Sequence, residues 1–281
     1  DYLIDVDQDE DAQPGVRVRV RFSGRLVDGY LLERIEKSDH PGKLGWLDRV
    51  VSAEPVLTPQ LATLCRAVAD RYAGTMGDVV RLAIPPRHAR TEKETTPDPV
   101  AVVASPELAD WHRYALADSY VENLADSHPR AVWQALPGED WPRRLAELAA
   151  ATLAGGRGCI LVVPDQRDLD RVWAECEPLI GDRGVALSAG LGPTARYRRW
   201  LAVRRGAAQL VIGTRSAVFA PVKDLGLVVV WDDGDDSMAD PRAPYPHPRE
   251  VAVLRSHHER CGLLLGGFAR TAEAQALVVS G

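Results

Sequence analysis

Four carboxylates, Asp232, Asp233, Asp235 and Asp236, fall within the short stretch WDDGDD, directly after the apolar run LGLVVV. Carboxylates at the end of a buried strand are the oxygen donors a magnesium ion takes, usually together with substrate phosphates. The alternative is a solvated acidic turn. A second cluster is cationic: from Thr194 to Val222 there is no acid, while Arg196, Arg198, Arg199, Arg204, Arg205 and Arg215 supply six guanidinium groups. Such a run suits nucleic-acid phosphates or, equally, a solvated helix face. A third pattern is VRVRVRF over 16–22, which sets Val16, Val18, Val20 and Phe22 on one face of a strand and Arg17, Arg19 and Arg21 on the other. Cys65, Cys159, Cys176 and Cys261 are spaced too widely for a zinc knuckle and are expected to be buried, reduced thiols. The seven histidines make no ligand spacing either, and the adjacent His257 and His258 must point to different sides of a helix. No metal site is expected from these residues.

The elements that must position these groups belong to a chain of 281 residues, 46% hydrophobic and 26% charged, with apolar surface for one large or two modest cores. Thirty-four basic against forty acidic residues give a net charge of −6, which argues against coating duplex DNA along a whole surface and leaves local patches. The acids concentrate at the front, in Asp1, Asp5, Asp7, Asp9, Glu10 and Asp11. No apolar run approaches the roughly 18 residues of a membrane span, and DYLIDVDQDE is not a signal peptide, so a cytoplasmic protein without membrane contact is expected. A start at Asp1 without Met is expected of part of a longer chain.

The first 92 residues read as a small β-rich unit ending in a helix. Turn signals at Ser23-Gly24 and Asp28-Gly29 bracket RLV, GYLLERI suggests a returning strand, and a compact antiparallel barrel or meander follows. A helix is predicted from about Thr58 to Tyr72, with Thr58 as N-cap, Pro59 at the first helical position, and Leu61, Leu64, Cys65 and Val68 at helical spacing. Residues 93–130 read as a linker and helical connector. TEKETTPD at 91–98 is polar and Pro-interrupted, and ELADWHRYALADSYVENLADS is helical without needing either core. From 131 to 281, helical segments alternate with the apolar runs CILVVP, VALS, AQLVIGT, LGLVVVW and GLLLGG, which predicts an α/β doubly wound parallel sheet whose ligands bind at the carboxyl ends of the strands.

GTRSAVFAPVKDLGLVVV at 213–230, with RYRRWLAVRRGAAQLVI before it and HPREVAVLR after it, resembles the first helicase lobe of the PriA family, bacterial replication-restart helicases of superfamily two. DYL at 1–3, PGVRVRVRF at 14–22, EPVLTP at 54–59 and RYAGTMGDVVRLAIPP at 71–86 resemble the 3′-end DNA-binding domain of the same family. The resemblance implies a 3′-end DNA-binding domain over 1–92 and a RecA-like lobe over 131–281. In such a lobe a GxxxxGK[ST] loop cradles the phosphates. Here the corresponding stretch is QALPGEDW: Gln134, Pro137 and Glu139 take glycine places, Gly138 is the glycine left, Asp140 stands for the lysine and Trp141 for the hydroxyl residue. Proline removes an N–H donor, and a carboxylate in place of an ammonium turns attraction into repulsion, on the order of 8 kcal/mol at 4 Å and an effective dielectric of 20. In the acidic pair, Trp231 replaces the metal-facing aspartate, Asp232 stands at the glutamate position and Gly234 replaces the coupling histidine. A third element should follow LLLG but reads GFART, with Thr271 isolated.

The resemblance therefore implies a pseudo-helicase that recognises stalled forks and the nascent 3′ end without ATP hydrolysis. It assigns Asp1 and Tyr2 to a pocket for the terminal hydroxyl and base, Gly24 to the barrel turn, and Lys43 as an approximate substitute for a lysine that falls near Gly45. It places Arg215 and Ser216, with Arg199 of the cationic helix, against the DNA backbone. The alternatives are a salt bridge for Arg215 and a half-buried strand position for Tyr2. Implied partners are forked or single-stranded DNA with a 3′ end, single-strand-binding protein and other primosome components. No cofactor is expected in this chain, and the resemblance implies zinc only in a second, cysteine-rich lobe outside these residues. Two other functions are an active ATP-dependent 3′-to-5′ helicase with an unfamiliar nucleotide site, and a metal-dependent enzyme using Asp232–Asp236.

Overall fold

The computed structural model describes residues 1–124, 126–188 and 190–280. By packing, the chain divides into Asp1–Thr63 and Leu64–Gly281. The smaller unit holds β1 (Tyr2–Leu3), β2 (Arg17–Phe22), β3 (Arg25–Tyr30) and β4 (Gly45–Ser52), in the sheet order β1-β4-β2-β3. β2 pairs antiparallel with β3 and β4, while β1 runs parallel to β4. Its core is Ala12, Val16, Val18 and Leu47, with Ile4, Val20, Leu31 and Val50 packed against it.

Two expectations fail here. Phe22 is 64% exposed, because the core face of β2 runs past the end of the small core. Asp28-Gly29 is not a turn: both residues lie inside β3, paired with Arg19 and Val18, and residues 31–35 of GYLLERI form no strand. The true turn is Ser23-Gly24, whose φ values of 48° and 79° are those of a two-residue hairpin that needs glycine at its second place.

α1 (Pro59–Arg71) starts where predicted, because the Thr58 hydroxyl accepts the Leu61 N–H at 3.1 Å and Pro59 has no donor to lose. α2 (Met76–Ala83), α3 (Ala89–Glu92) and α4 (Ala117–Glu122) are short. The connector, expected to be helical without needing either core, is mostly irregular, and its Trp111, Ala117, Tyr120 and Leu124 are buried in the core of the lobe. Apolar side chains at those four places are too costly to leave in water.

The lobe alternates β5 (Arg130–Gln134), α5 (Trp141–Ala154), β6 (Gly158–Val162), α6 (Gln166–Ile180), β7 (Gly184–Leu187), α7 (Pro193–Arg205), β8 (Leu210–Gly213), β9 (Leu225–Trp231), α8 (Pro248–Glu259), β10 (Gly262–Gly267) and α9 (Ala272–Ser280). Its six strands are all parallel, in the order β5-β10-β9-β6-β8-β7. Every residue of β6, β9 and β10 is buried, which is why these strands are continuous apolar runs. Cys159, Leu161, Leu227 and Val229 share one core with α5 and α6, while α8 packs on β9 and β10 from the other side. This is the doubly wound α/β class expected of a RecA-like lobe. The four cysteines are free and buried, as expected. Among the described residues no helix is long and apolar enough to cross a membrane.

Candidate nucleotide site and DNA-contacting residues

All strands of the lobe end at one edge, so the loops after β5, β8, β9 and β10 gather there. The loop 135–140 is where a phosphate cradle would form, and three of its backbone donors are already used. Ala135 N–H donates to the Gly267 carbonyl at 2.9 Å, Leu136 N–H to the Tyr114 hydroxyl at 3.1 Å, and Glu139 N–H to the Leu136 carbonyl at 3.0 Å. The Glu139 side chain is buried and accepts from the Tyr114 hydroxyl. Desolvation, then that carboxylate, pushes the Tyr114 phenol above its ordinary value. Gly138 takes φ +78° with open space around it, and Gln134 reaches only the Phe268 carbonyl, at 3.5 Å. Asp140 precedes α5 as its N-cap residue but makes no side-chain cap bond.

Trp141 does not merely remove a hydroxyl. It is buried and stacks on Trp231, with ring centroids 4.2 Å apart and planes at 9°. Trp231 in turn meets Trp133 at 5.4 Å and Phe268 at 5.6 Å, and the Arg171 guanidinium lies 5.0 Å from the Trp141 ring centroid. The residues at the hydroxyl and metal-facing aspartate positions thus touch each other as an apolar pair. Neither side chain of this pair offers an oxygen donor to a metal ion, and the N–H groups of Ala135, Leu136 and Glu139 point to protein acceptors.

The acidic stretch after β9 is likewise occupied. Asp233 is buried, ion-paired to the Arg249 Nη1 at 2.6 Å, and accepts the Thr271 hydroxyl at 2.9 Å. Thr271, the hydroxyl residue left of the third element, also caps α9 by accepting the Ala274 N–H at 3.1 Å. The Asp235 carboxylate accepts the Ser237 N–H at 2.8 Å and sits below its ordinary range because of its bonds to Ser237. Asp232 has φ +52°, and partial desolvation followed by the Asp235, Asp168 and Asp233 charges pushes its carboxyl up. Asp236 is exposed.

Much of the cationic run is directed at the protein. Arg198 forms a bidentate pair with Glu94 at 2.5 and 2.8 Å, Arg205 donates to the carbonyls of Glu92 and Glu94, and Arg199 donates to the Ala186 carbonyl at 2.8 Å. Residues 92–96, expected to be a free linker, therefore lie along α7. Arg196 donates to the Ser216 hydroxyl at 3.1 Å. Arg215 takes the salt-bridge alternative, 3.4 Å from Asp240, and also donates to the Ser237 carbonyl at 2.8 Å.

In the smaller unit the predicted residues gather at one end of the sheet. β1 begins with Tyr2 opposite Gly45, the first residue of β4, and antiparallel β2 brings its last residue and the turn at Gly24 to the same end. The Tyr2 ring lies 3.7 Å from where a Gly45 Cβ would stand, its hydroxyl donates to the Arg21 carbonyl at 3.2 Å, and it is half-buried. The Asp1 carboxylate accepts from the Ser38 hydroxyl. Lys43 is exposed two residues before β4. Sequence reasoning missed the two exposed aromatics at this end, Phe22 and Trp46. Strict alternation hid the first, and GKLGWL, an aromatic directly after two glycines and a lysine, was the signal for the second.

The model of the PriA 3′ DNA-binding domain (3′BD) matches residues 1–85. The chain is 62% identical over 284 residues to "Probable replication restart protein PriA" of Mycobacterium tuberculosis, covering 100% of this chain and 43% of that protein. It is 58% identical over 287 residues to the protein of that name from Mycobacterium leprae, covering 100% and 44%. Among solved structures, the C-terminal domain of S. cerevisiae Dbp5 is a loose match, with 16% identity and a TM-score of 0.36 over 55% of this chain and 82% of that one. The chain spans less than half the length of these curated relatives, and, matched to them over all of its residues at 62% and 58% identity, it belongs to the PriA family of replication restart proteins.

Proposed function

We propose that this chain recognises a DNA strand ending in a free 3′-hydroxyl at stalled or abandoned forks, and does so without hydrolysing ATP. The observation that carries the second half is the Trp141–Trp231 stack at 4.2 Å, which puts an apolar contact where a metal ion would have to join two oxygen ligands. The committed N–H groups of Ala135, Leu136 and Glu139 support it, because a polyphosphate would have to break three internal bonds to be cradled. For the first half, Asp1, Tyr2, Gly24 and Lys43 lie at one end of a small sheet, where they offer an acceptor for a terminal hydroxyl, a ring for its base and a cation for a phosphate. Neither alternative is favoured by a specific contact. An active helicase lacks its cradle, and a metal enzyme would lose Asp233 to Arg249. Single-strand-binding protein and other primosome components are the partners such a fork would offer.

The test is a titration of forked DNA carrying either a 3′-hydroxyl or a 3′-phosphate, run beside a DNA-stimulated ATP turnover assay. Tighter binding of the hydroxyl form and no turnover are expected. Equal affinity for the two ends would remove 3′ recognition, and robust turnover would restore a motor.

A further inference from the structure

The outer face of the four-stranded sheet, turned away from its core, has no part in the reading above. Strand register fixes which side chains share it. In β2 the core residues Val18 and Val20 alternate with Arg19 and Arg21, and the pairs Arg21↔Leu26 and Arg19↔Asp28 set Leu26 and Asp28 beside those arginines. In β4, Leu47 lies opposite Val20 on the core side, so its neighbour Trp46 points outward, and the pair Leu3↔Trp46 adds Leu3. Beyond the bulge in β4, Arg49 pairs with Arg19. One outward row therefore runs Leu3, Trp46, Arg21, Leu26, about 14 Å across four strands at about 4.8 Å per spacing. The next row is Arg49, Arg19, Asp28.

Trp46 is 59% exposed, and Leu3 and Leu26 beside it are also in water. Asp28 is neutralised by Arg19 through bonds of 2.6 and 3.0 Å, and its carboxyl is held below the ordinary range by that contact first. The charge of Asp48 also acts on Arg19. Arg21 uses Nη1 for the Gly24 carbonyl at 3.1 Å, which holds the guanidinium over the sheet with further N–H donors to spare. An exposed indole with small apolar neighbours, flanked by guanidinium groups on an open sheet, has the chemistry that stacks a base and holds the phosphates on either side of it.

We propose that this face binds single-stranded DNA at internal nucleotides, independently of the strand's 3′ end, with Trp46 stacking on a base and Arg21 and Arg49 on phosphates. It rests on the DNA-binding reading of the smaller unit but uses the opposite face from Tyr2 and Gly45. The test uses the full chain with an oligothymidylate closed by a 3′-phosphate. Trp46→Ala is expected to weaken binding by at least about fivefold, and Arg49→Ala to weaken it and lower the salt slope by about one. Both variants should keep the parent's preference for a 3′-hydroxyl over a 3′-phosphate. Unchanged affinity of Trp46→Ala for the blocked strand would overturn the proposal while leaving 3′ recognition standing. So would a parent that binds only strands with a free 3′-hydroxyl, or one whose Trp46-dependent binding is to a polyglutamate peptide and not to DNA. Loss of the hydroxyl preference in the parent alone would instead count against the pocket.

Discussion

At the scale of single residues, the proposed loss of ATP hydrolysis is a matter of replacement and not of decay. A hydroxyl residue and a metal-facing aspartate normally face each other across an ion. Here both places hold tryptophan, and the two rings stack at 4.2 Å. Such a pair contributes about 0.5–1.5 kcal/mol beyond the area it buries. The stack should therefore carry stability. Trp231→Ala is expected to cost about 3–5 kcal/mol, as for other buried aromatics, which urea unfolding would read as a lowered midpoint at unchanged slope. Restoring chemistry by residue type should fail: the triple change Asp140→Lys, Trp141→Thr, Trp231→Asp is expected to bind no ATP in calorimetry, because the loop N–H groups remain donated to Gly267, Tyr114 and Leu136. Binding by that triple variant would show that side chains alone closed the site.

At the scale of elements, α8 illustrates what its surroundings decide. His247 precedes the helix, its Nδ1 accepts the Arg249 N–H at 3.2 Å, and its own backbone N–H donates to the Tyr72 hydroxyl at 3.0 Å. Burial, then the Arg249 charge, holds the imidazole below its ordinary value, against the opposing pull of Asp233, Glu250 and Glu273. In the unfolded chain the ring takes its proton at about pH 6.5, before the native ring does. Its contribution is therefore complete above that pH and is lost as pH falls through it toward the native value. His247→Asn keeps an oxygen at the N-cap. Urea midpoints at about pH 7.5 and pH 5.5 should fall further in the parent than in this variant, and equal falls would remove the role given to His247. The sequence made the lobe's elements legible because strands covered on both faces must be continuous apolar runs, as in LGLVVVW. It left β5 unread because RAVWQ offers one large apolar residue, and it read a turn into Asp28-Gly29, where pairing with Arg19 and Val18 holds a strand. The partners of Trp141 and of the arginines in α7 were illegible because they lie tens of residues away and follow from topology, not spacing.

At the scale of the whole molecule, the proposed function gives the two units opposite responses to ligands, and linkage turns them into one measurement. A ligand that binds only the native state stabilises it by RT ln(1 + [L]/Kd), about 2.7 kcal/mol at one hundred times Kd, whereas a compound without a site contributes nothing at any concentration. For a chain of this size each kcal/mol raises Tm by about 2–4 °C. An oligonucleotide with a free 3′-hydroxyl should therefore raise the melting temperature by several degrees at saturation. The increment should shrink with added salt, because each counterion released by a phosphate contact gains less free energy in a saltier solution, and the net charge of −6 makes that decline shallower, since salt also screens the repulsion between DNA and the rest of the surface. Magnesium ATP should leave the same transition where it is, with or without DNA. The combination matters more than either arm: a nucleotide-dependent shift only in the presence of DNA would mean that DNA opens the Trp141–Trp231 contact, and the molecule would then be a gated motor rather than a reader of ends.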